Sequence, residues 1–147
     1  MAIAYLFALP IGWNREREER SAGLRTFPIV AVACCRFVQA AEVRLGSDPG
    51  AMGSVIEGLI TGIGFIGGGA ILKLNSSVKG TATAASLWAT GAIGTAVGLG
   101  AYDVGAVIAL MTVVSLVALP RLKPETAPDR KDHTPAPDKE NVQNGEQ

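Results

Sequence analysis

Little in this sequence of 147 residues can carry reaction chemistry. Its one histidine, His133, lies in a polar C-terminal stretch with no second His or Cys nearby, so a zinc ligand set cannot be assembled there. The two cysteines, Cys34 and Cys35, are neighbours inside an apolar run. Side chains of successive helical residues diverge and a disulfide between them would be strained, so they read as structural filler rather than a reactive pair. Net charge is missing too: 13 Lys+Arg against 13 Asp+Glu give a formal charge of zero, which leaves no overall field to recruit nucleic acid or an acidic partner. No nucleophile with its base, metal cluster or cofactor cradle can be put together from the remaining residues. Neither an enzyme nor a bound cofactor is expected.

What the chain does have is apolar length. The hydrophobic fraction is 48%, mean hydropathy is +0.31, and the charges sit in narrow zones between apolar stretches. A bilayer core of ~30 Å needs about 20 helical residues. Val55 to Leu74, Thr83 to Tyr102 and Val104 to Leu119 are the convincing spans, the last two joined by a tight turn. Leu24 to Ala41 is also apolar enough, with Arg36 as a defect. Met1 to Trp13 could cover only about 20 Å at ~1.5 Å per residue, so either the natural start lies upstream or this helix is short. A signal peptide is a poor alternative reading, because the basic residues follow the apolar stretch instead of preceding it and no small-residue cleavage site stands out. The expected fold is therefore all-α: a polytopic transmembrane bundle of about five spans over residues 1–120, followed by a disordered cytoplasmic tail over 121–147. From Pro124 on, the tail holds too little apolar surface to offset the entropy of ordering.

Orientation follows from the bias of Lys and Arg toward the cytoplasm. Arg15, Arg17, Arg20 and Arg25 fill the first loop, Lys73 and Lys79 flank the third, and Arg121 and Lys123 open the tail. The second loop has Arg44 beside Glu42 and Asp48, and the fourth has Asp103 and no basic residue. With five spans this alternation puts the N-terminus outside and the C-terminus in the cytoplasm. Trp13 and Tyr102 would then lie near the inner and outer interfaces.

The most informative stretch is a run of glycines, Gly58, Gly62, Gly64, Gly67, Gly68 and Gly69, within one apolar span. Gly62 to Gly67 matches a dinucleotide-binding fingerprint literally, but the strand, amphipathic helix and acidic residue that give the motif meaning are missing. In lipid, small residues four apart let helix backbones approach. Gly58 with Gly62, and Gly64 with Gly68, are such pairs on different faces, which predicts a central third helix. Ser86, Thr90, Gly94 and Gly98 form a second stripe, expected to face the third helix and to add interhelical hydrogen bonds or line a narrow polar path. Thr81 or Thr83 should cap the fourth helix, and Asp48-Pro49 should begin the third.

Two charges fall within spans, where an ionisable group costs roughly 2.5–3.5 kcal/mol on the mildest scale. Antiparallel helices would bring Arg36 and Glu57 to similar depth, suggesting an intramembrane ion pair. The alternative has Arg36 snorkelling outward and Glu57 protonated.

Asp48-Pro49, Gly58-Leu59-Ile60-Thr61-Gly62-Ile63-Gly64-Phe65-Ile66-Gly67-Gly68-Gly69-Ala70-Ile71-Leu72 and Val78-Lys79-Gly80-Thr81-Ala82-Thr83-Ala84-Ala85-Ser86-Leu87-Trp88 together resemble the signature of the MgtC/SapB family. Gly12 with Arg15-Glu16-Arg17, and Ala22-Gly23-Leu24-Arg25-Thr26, are similar to its first cytoplasmic loop. The resemblance covers about residues 1–120. It implies a bacterial inner-membrane protein associated with growth at low magnesium, survival inside host phagocytes, and regulation of membrane machinery such as ATP synthase or a cation transporter. It also implies the short form, without the soluble domain of larger members. The chain departs from the family pattern at Glu57, where Gln is usual, and at Arg36, where a small or apolar residue is.

Two functions compete. In the first, the bundle associates with itself through glycine faces and regulates or scaffolds a larger membrane complex under magnesium limitation or stress. In the second it is a cation transporter or channel, with Asp48, Glu57 and Asp103 as candidate oxygen ligands for Mg2+ as ligand or transported ion. Thr61, Thr83, Ser86 and Thr90 offer too little polar lining for such a path, so the first reading is preferred.

Overall fold

The computed structural model describes residues 1–18, 22–46, 48–74 and 77–122. Five helices and one small hairpin make up this part: α1 Ala2–Arg17, α2 Thr26–Leu45, α3 Pro49–Gly69, β1 Leu72–Leu74, β2 Ser77–Lys79, α4 Thr81–Gly98 and α5 Tyr102–Leu122. The all-α expectation holds, with the first helix running on past Trp13 to Arg17. Of the tail expected over 121–147, Arg121 and Leu122 belong to α5, and residues 123–147 lie outside the described residues.

Among the described residues, three helices are long and apolar enough to cross a membrane: α2, α3 and α5. Arg36 does not disqualify α2. The helix α4, expected to be among the clearest spans, is not one of the three, and its surroundings supply the reason. It packs against α1, α2, α3 and α5 and buries ten residues, including Thr83, Ser86, Thr90 and Ile93. A helix wrapped by other helices meets protein instead of lipid, so small and hydroxyl residues suffice for it. The centre of the bundle is thus α4, not α3, which buries only Ile63 and Gly67. The core joins Ala4, Ala8 and Ile11 of α1 to Phe27, Ala31 and Cys35 of α2 and to Leu87, Ile93 and Val97 of α4. Around it, large apolar side chains point outward, Phe65 with 86% of its surface free and Leu110 with 63%. Such a belt would be costly in water and is what hydrocarbon requires.

Chain punctuation decides where the helices begin and end. Asp48 caps α3 as expected, its Oδ1 accepting from the amides of Gly50 at 2.9 Å and Ala51 at 3.3 Å, with Pro49 at the first helical position. The predicted continuation of this helix to Leu74 does not occur. After the triple glycine, which has low helical preference, α3 stops at Gly69 and Leu72–Leu74 pairs antiparallel with Ser77–Lys79, Leu72 opposite Lys79. Neither Thr81 nor Thr83 caps α4: the position before it is Gly80, at φ 91°, with no capping side chain. A left-handed residue is needed there to turn from β2 into the helix, and glycine takes that conformation without penalty. The tight turn between α4 and α5 is present. Gly100 at φ 80°, with amide bonds from Gly100 to Val97 O (3.2 Å) and from Ala101 to Ala96 O (2.9 Å), closes a Schellman motif.

Candidate functional site: a cleft beside the central helix

Close approach of α4 to its neighbours starts from its small residues. A methyl group on Gly94 would overlap the Ala31 carbonyl oxygen of α2 and come within 2.9 Å of Cys34 Cβ, and one on Gly98 would lie 2.8 Å from Val38 Cβ. The stripe therefore faces α2 at this end, not α3 as expected. Contact with α3 is made instead by Gly91, which receives the Ile63 side chain, and by Gly67, which rests on Ala84. Neither Ser86 nor Thr90 donates across helices. Ser86 Oγ donates to Ala82 O at 2.7 Å and Thr90 Oγ1 to Ser86 O at 2.8 Å, so both hydroxyls are satisfied within α4, the usual recourse of a hydroxyl inside a helix. They form no polar path of their own.

On α3 the four glycines singled out for packing, Gly58, Gly62, Gly64 and Gly68, have open space where a side chain would be. Within one chain they pack against nothing, because α3 lies at the edge of the bundle. Glu57 is exposed on the same helix. The ion pair expected between Glu57 and Arg36 is not formed among the described residues. Arg36 Nη1 instead donates to Gln39 Oε1 at 3.2 Å, a partner one helical turn away that is within reach without any inter-helix approach. The three candidate metal ligands also stay apart. Asp48 is used as a cap, Glu57 faces outward along α3, and Asp103 lies in the first turn of α5. No group of three or more His, Cys, Asp or Glu able to hold a metal is present among the described residues. These residues do not fit a magnesium site.

The sequence did not announce a cleft of about 1250 Å³ between α4 and α5, beside the hairpin. Arg15 and Glu18 line it together with Lys79 and the first turn of α4, as do Met111, Leu116 and Leu119 of α5. Arg15 was expected in an exposed loop. It is in fact helical and 2% exposed, held by Asn14 Oδ1 at 2.8 Å and by Glu18 Oε2 at 2.8 Å. Thr83, also 2% exposed, lines the same cleft. The fold fixes this corner through Glu16, whose Oε2 accepts from the Leu24 amide at 3.0 Å and so ties the end of α1 to the start of α2. Gly12 and Gly23 permit the approach, since a methyl on Gly12 would lie 3.2 Å from Leu24 Cα.

Five packed helices, a lipid-facing apolar belt and a small-residue central helix define a polytopic helical membrane protein. The chain belongs to the MgtC family, whose profile matches residues 1–124. It is 32% identical to protein SrpB of Synechococcus elongatus over 84% of this chain and 74% of SrpB. It is 33% identical to YhiD of Escherichia coli K12, whose name offers magnesium transport as its candidate activity, over 72% of this chain and 52% of YhiD. Against protein MgtC of Salmonella typhimurium LT2 the identity is 35%, over 67% of this chain and 42% of MgtC. The chain thus spans about half or less of the length of the latter two relatives. No solved structure matches it.

Proposed function

We propose that the chain regulates or scaffolds other machinery of a bacterial inner membrane during magnesium limitation or stress, and does not itself catalyse a reaction. The observation that carries this reading is the open face of α3. Glycines four residues apart, Gly58 with Gly62 and Gly64 with Gly68, stand free on a helix apolar enough to cross the membrane, and such spacing serves helix–helix association. A second copy of the chain is the occupant this reading assigns to the face, with a membrane-protein partner such as ATP synthase or a cation transporter joining the assembly. The orientation assigned is N-terminus outside and C-terminus cytoplasmic, from the distribution of Lys and Arg.

Cation transport is the second reading, favoured by the name that YhiD carries. Against it stands the separation of Asp48, Glu57 and Asp103, because even a magnesium ion that keeps several waters needs carboxylates converging on it. Magnesium uptake into liposomes holding the purified chain tests the choice, with Glu57→Gln and Asp48→Asn beside it and empty liposomes as baseline. Flux at baseline in folded protein is the expected result. Saturable uptake that both variants lose would overturn the regulatory reading in favour of a carrier.

A further inference from the structure

Two exposed charges of opposite sign, Arg36 and Glu57, lie well inside helices apolar enough to cross a membrane. Arg36 comes nine positions before the end of α2 at Leu45, and Glu57 eight positions after the start of α3 at Pro49. At ~1.5 Å per residue both sit about 12–14 Å below the short link that joins these antiparallel helices. They do not meet within the chain. Arg36 follows Ala31, on which Gly94 of α4 rests, by five residues, and so points about 140° away from the enclosed face of α2 at ~3.6 residues per turn. Glu57 precedes Ile63, whose side chain enters α4 at Gly91, by six residues, and points about 120° away from the enclosed face of α3. Among the described residues neither forms an ion pair, and the Arg36 guanidinium bonds only with Gln39. Ionisable groups facing hydrocarbon are costly, and those that occur there ordinarily have partners.

Each charge sits within a stripe whose spacing alternates between three and four residues, the pattern that keeps side chains on one seam between packed helices. On α3 the stripe is Gly50, Ser54, Glu57, Thr61, Gly64 and Gly68, all exposed and all small except Glu57. On α2 it is Ile29, Ala33, Arg36, Ala40 and Val43, of which Ile29 is 64% and Val43 83% exposed. Copies inserted the same way in a membrane present α2 of one antiparallel to α3 of the next. With Arg36 level with Glu57, Ile29, seven residues before Arg36, falls level with Gly64, seven after Glu57. Val43 falls level with Gly50 by the same count in the other direction. The two bulkiest apolar side chains of one stripe thus meet glycines of the other, where backbones can approach closely. Charge and size select the same register.

We propose that copies of this chain associate through α2 of one and α3 of the next, the Arg36 guanidinium of one copy bonded to the Glu57 carboxylate of its neighbour, with Ile29 and Val43 seated on Gly64 and Gly50. The inference rests on the assignment of a second copy to the open face of α3, and it supplies the surface that this copy brings. Charge-assisted hydrogen bonds of this kind are among the strong ones, and more so away from water.

Förster transfer between two separately labelled populations of the full chain, reconstituted together in phosphatidylcholine liposomes, tests the assignment. Arg36→Glu leaves only acidic side chains at the two positions and Glu57→Arg only basic ones, so that like charges face each other across the contact. Each variant alone should associate with itself at least about tenfold more weakly than the native chain, the scale of a charge-assisted hydrogen bond. Mixed together, the two should recover transfer, because each supplies the charge that the other lacks; a pair within one chain could not be restored in this way. Arg36→Glu combined with Glu57→Arg in one chain should also associate with itself. A native chain that associates, with no recovery in the mixture, would overturn the pairing and leave self-association through α3 standing. No transfer in the native chain would overturn both. Should a reversed charge lower the thermal midpoint in detergent, Arg36→Leu and Glu57→Leu keep the test open: each should weaken association, and native affinity in both would overturn the pairing.

Discussion

Gly94 of α4 rests against the backbone carbonyl of Ala31 in α2, with no room for a methyl group between them. Backbone cannot move aside as a flexible side chain can, so any added carbon must separate the two helices. Gly94→Val should therefore destabilise the fold by about 1–3 kcal/mol, the usual cost of overpacking a well-packed core. Gly62→Val on the open side of α3, where nothing lies within 4 Å, should leave the fold of a single chain unaffected. Thermal melting of both variants in detergent checks the contrast, and equal midpoints would mean that α2 and α4 do not depend on this contact.

Gly80 is the second position at which only glycine fits. It combines φ 91° with a would-be Cβ that overlaps the Ala70 carbonyl oxygen. The left-handed conformation alone costs a non-glycine residue roughly 1–2 kcal/mol, and the overlap adds to it. Gly80→Ala should lower the melting midpoint and open the hairpin, read as faster tryptic cleavage at Lys73 and Lys79. Cleavage no faster than in the unaltered chain would show that the hairpin does not hold the start of α4.

The Glu16 carboxylate closes the α1–α2 connection by accepting from the Leu24 amide at 3.0 Å. Glu16→Ala removes the acceptor and leaves a backbone donor at the start of α2 to find water, at a cost of about 0.5–2 kcal/mol. Glu16→Gln keeps an acceptor oxygen and should recover most of the loss. Hydrogen exchange at the Leu24 amide reads this directly: fast exchange in the alanine variant, near-native exchange in the glutamine one. Equally slow exchange in all three proteins would sink the idea.

The helices were legible in the sequence because apolar length reports them without reference to any partner, and Asp48-Pro49 was legible because a cap is a local interaction. The arrangement was harder to read, for a physical reason. Glycine spacing says that a helix can be approached closely but not by what: the same pattern marks Gly94 and Gly98, which touch α2, and Gly58 and Gly62, which within one chain touch nothing. Sequence hydropathy also ranked α4 with the lipid-facing helices, although its composition of Thr, Ser and Gly already suited a helix enclosed by protein. Arg15 falls in the expected first loop because the apolar stretch ends at Trp13, whereas α1 continues to Arg17. Its burial depends on Asn14 and Glu18 folding back upon it in the last turn of α1, and the Arg15–Glu18 spacing of three was the one local signal of that arrangement. The cleft had no signature at all, since its walls come from three helices and the hairpin.

The open glycines of α3 lead to the last prediction. If a second copy covers them, Gly58→Leu combined with Gly62→Leu should abolish self-association, because two isobutyl groups would hold the backbones several ångström apart where packing supplies the attraction. The fold of the single chain should survive, as neither position has a neighbour within 4 Å. The outward-facing Glu57 strengthens the case: a carboxylate presented to hydrocarbon costs about 2.5–3.5 kcal/mol on the mildest scale, and an interface would give it partners. Glu57→Gln should therefore preserve association while Glu57→Leu weakens it. Sedimentation equilibrium in density-matched detergent distinguishes these outcomes, and a double-leucine variant that still associates as the parent does would remove α3 as the interface and, with it, the main support for a scaffolding role.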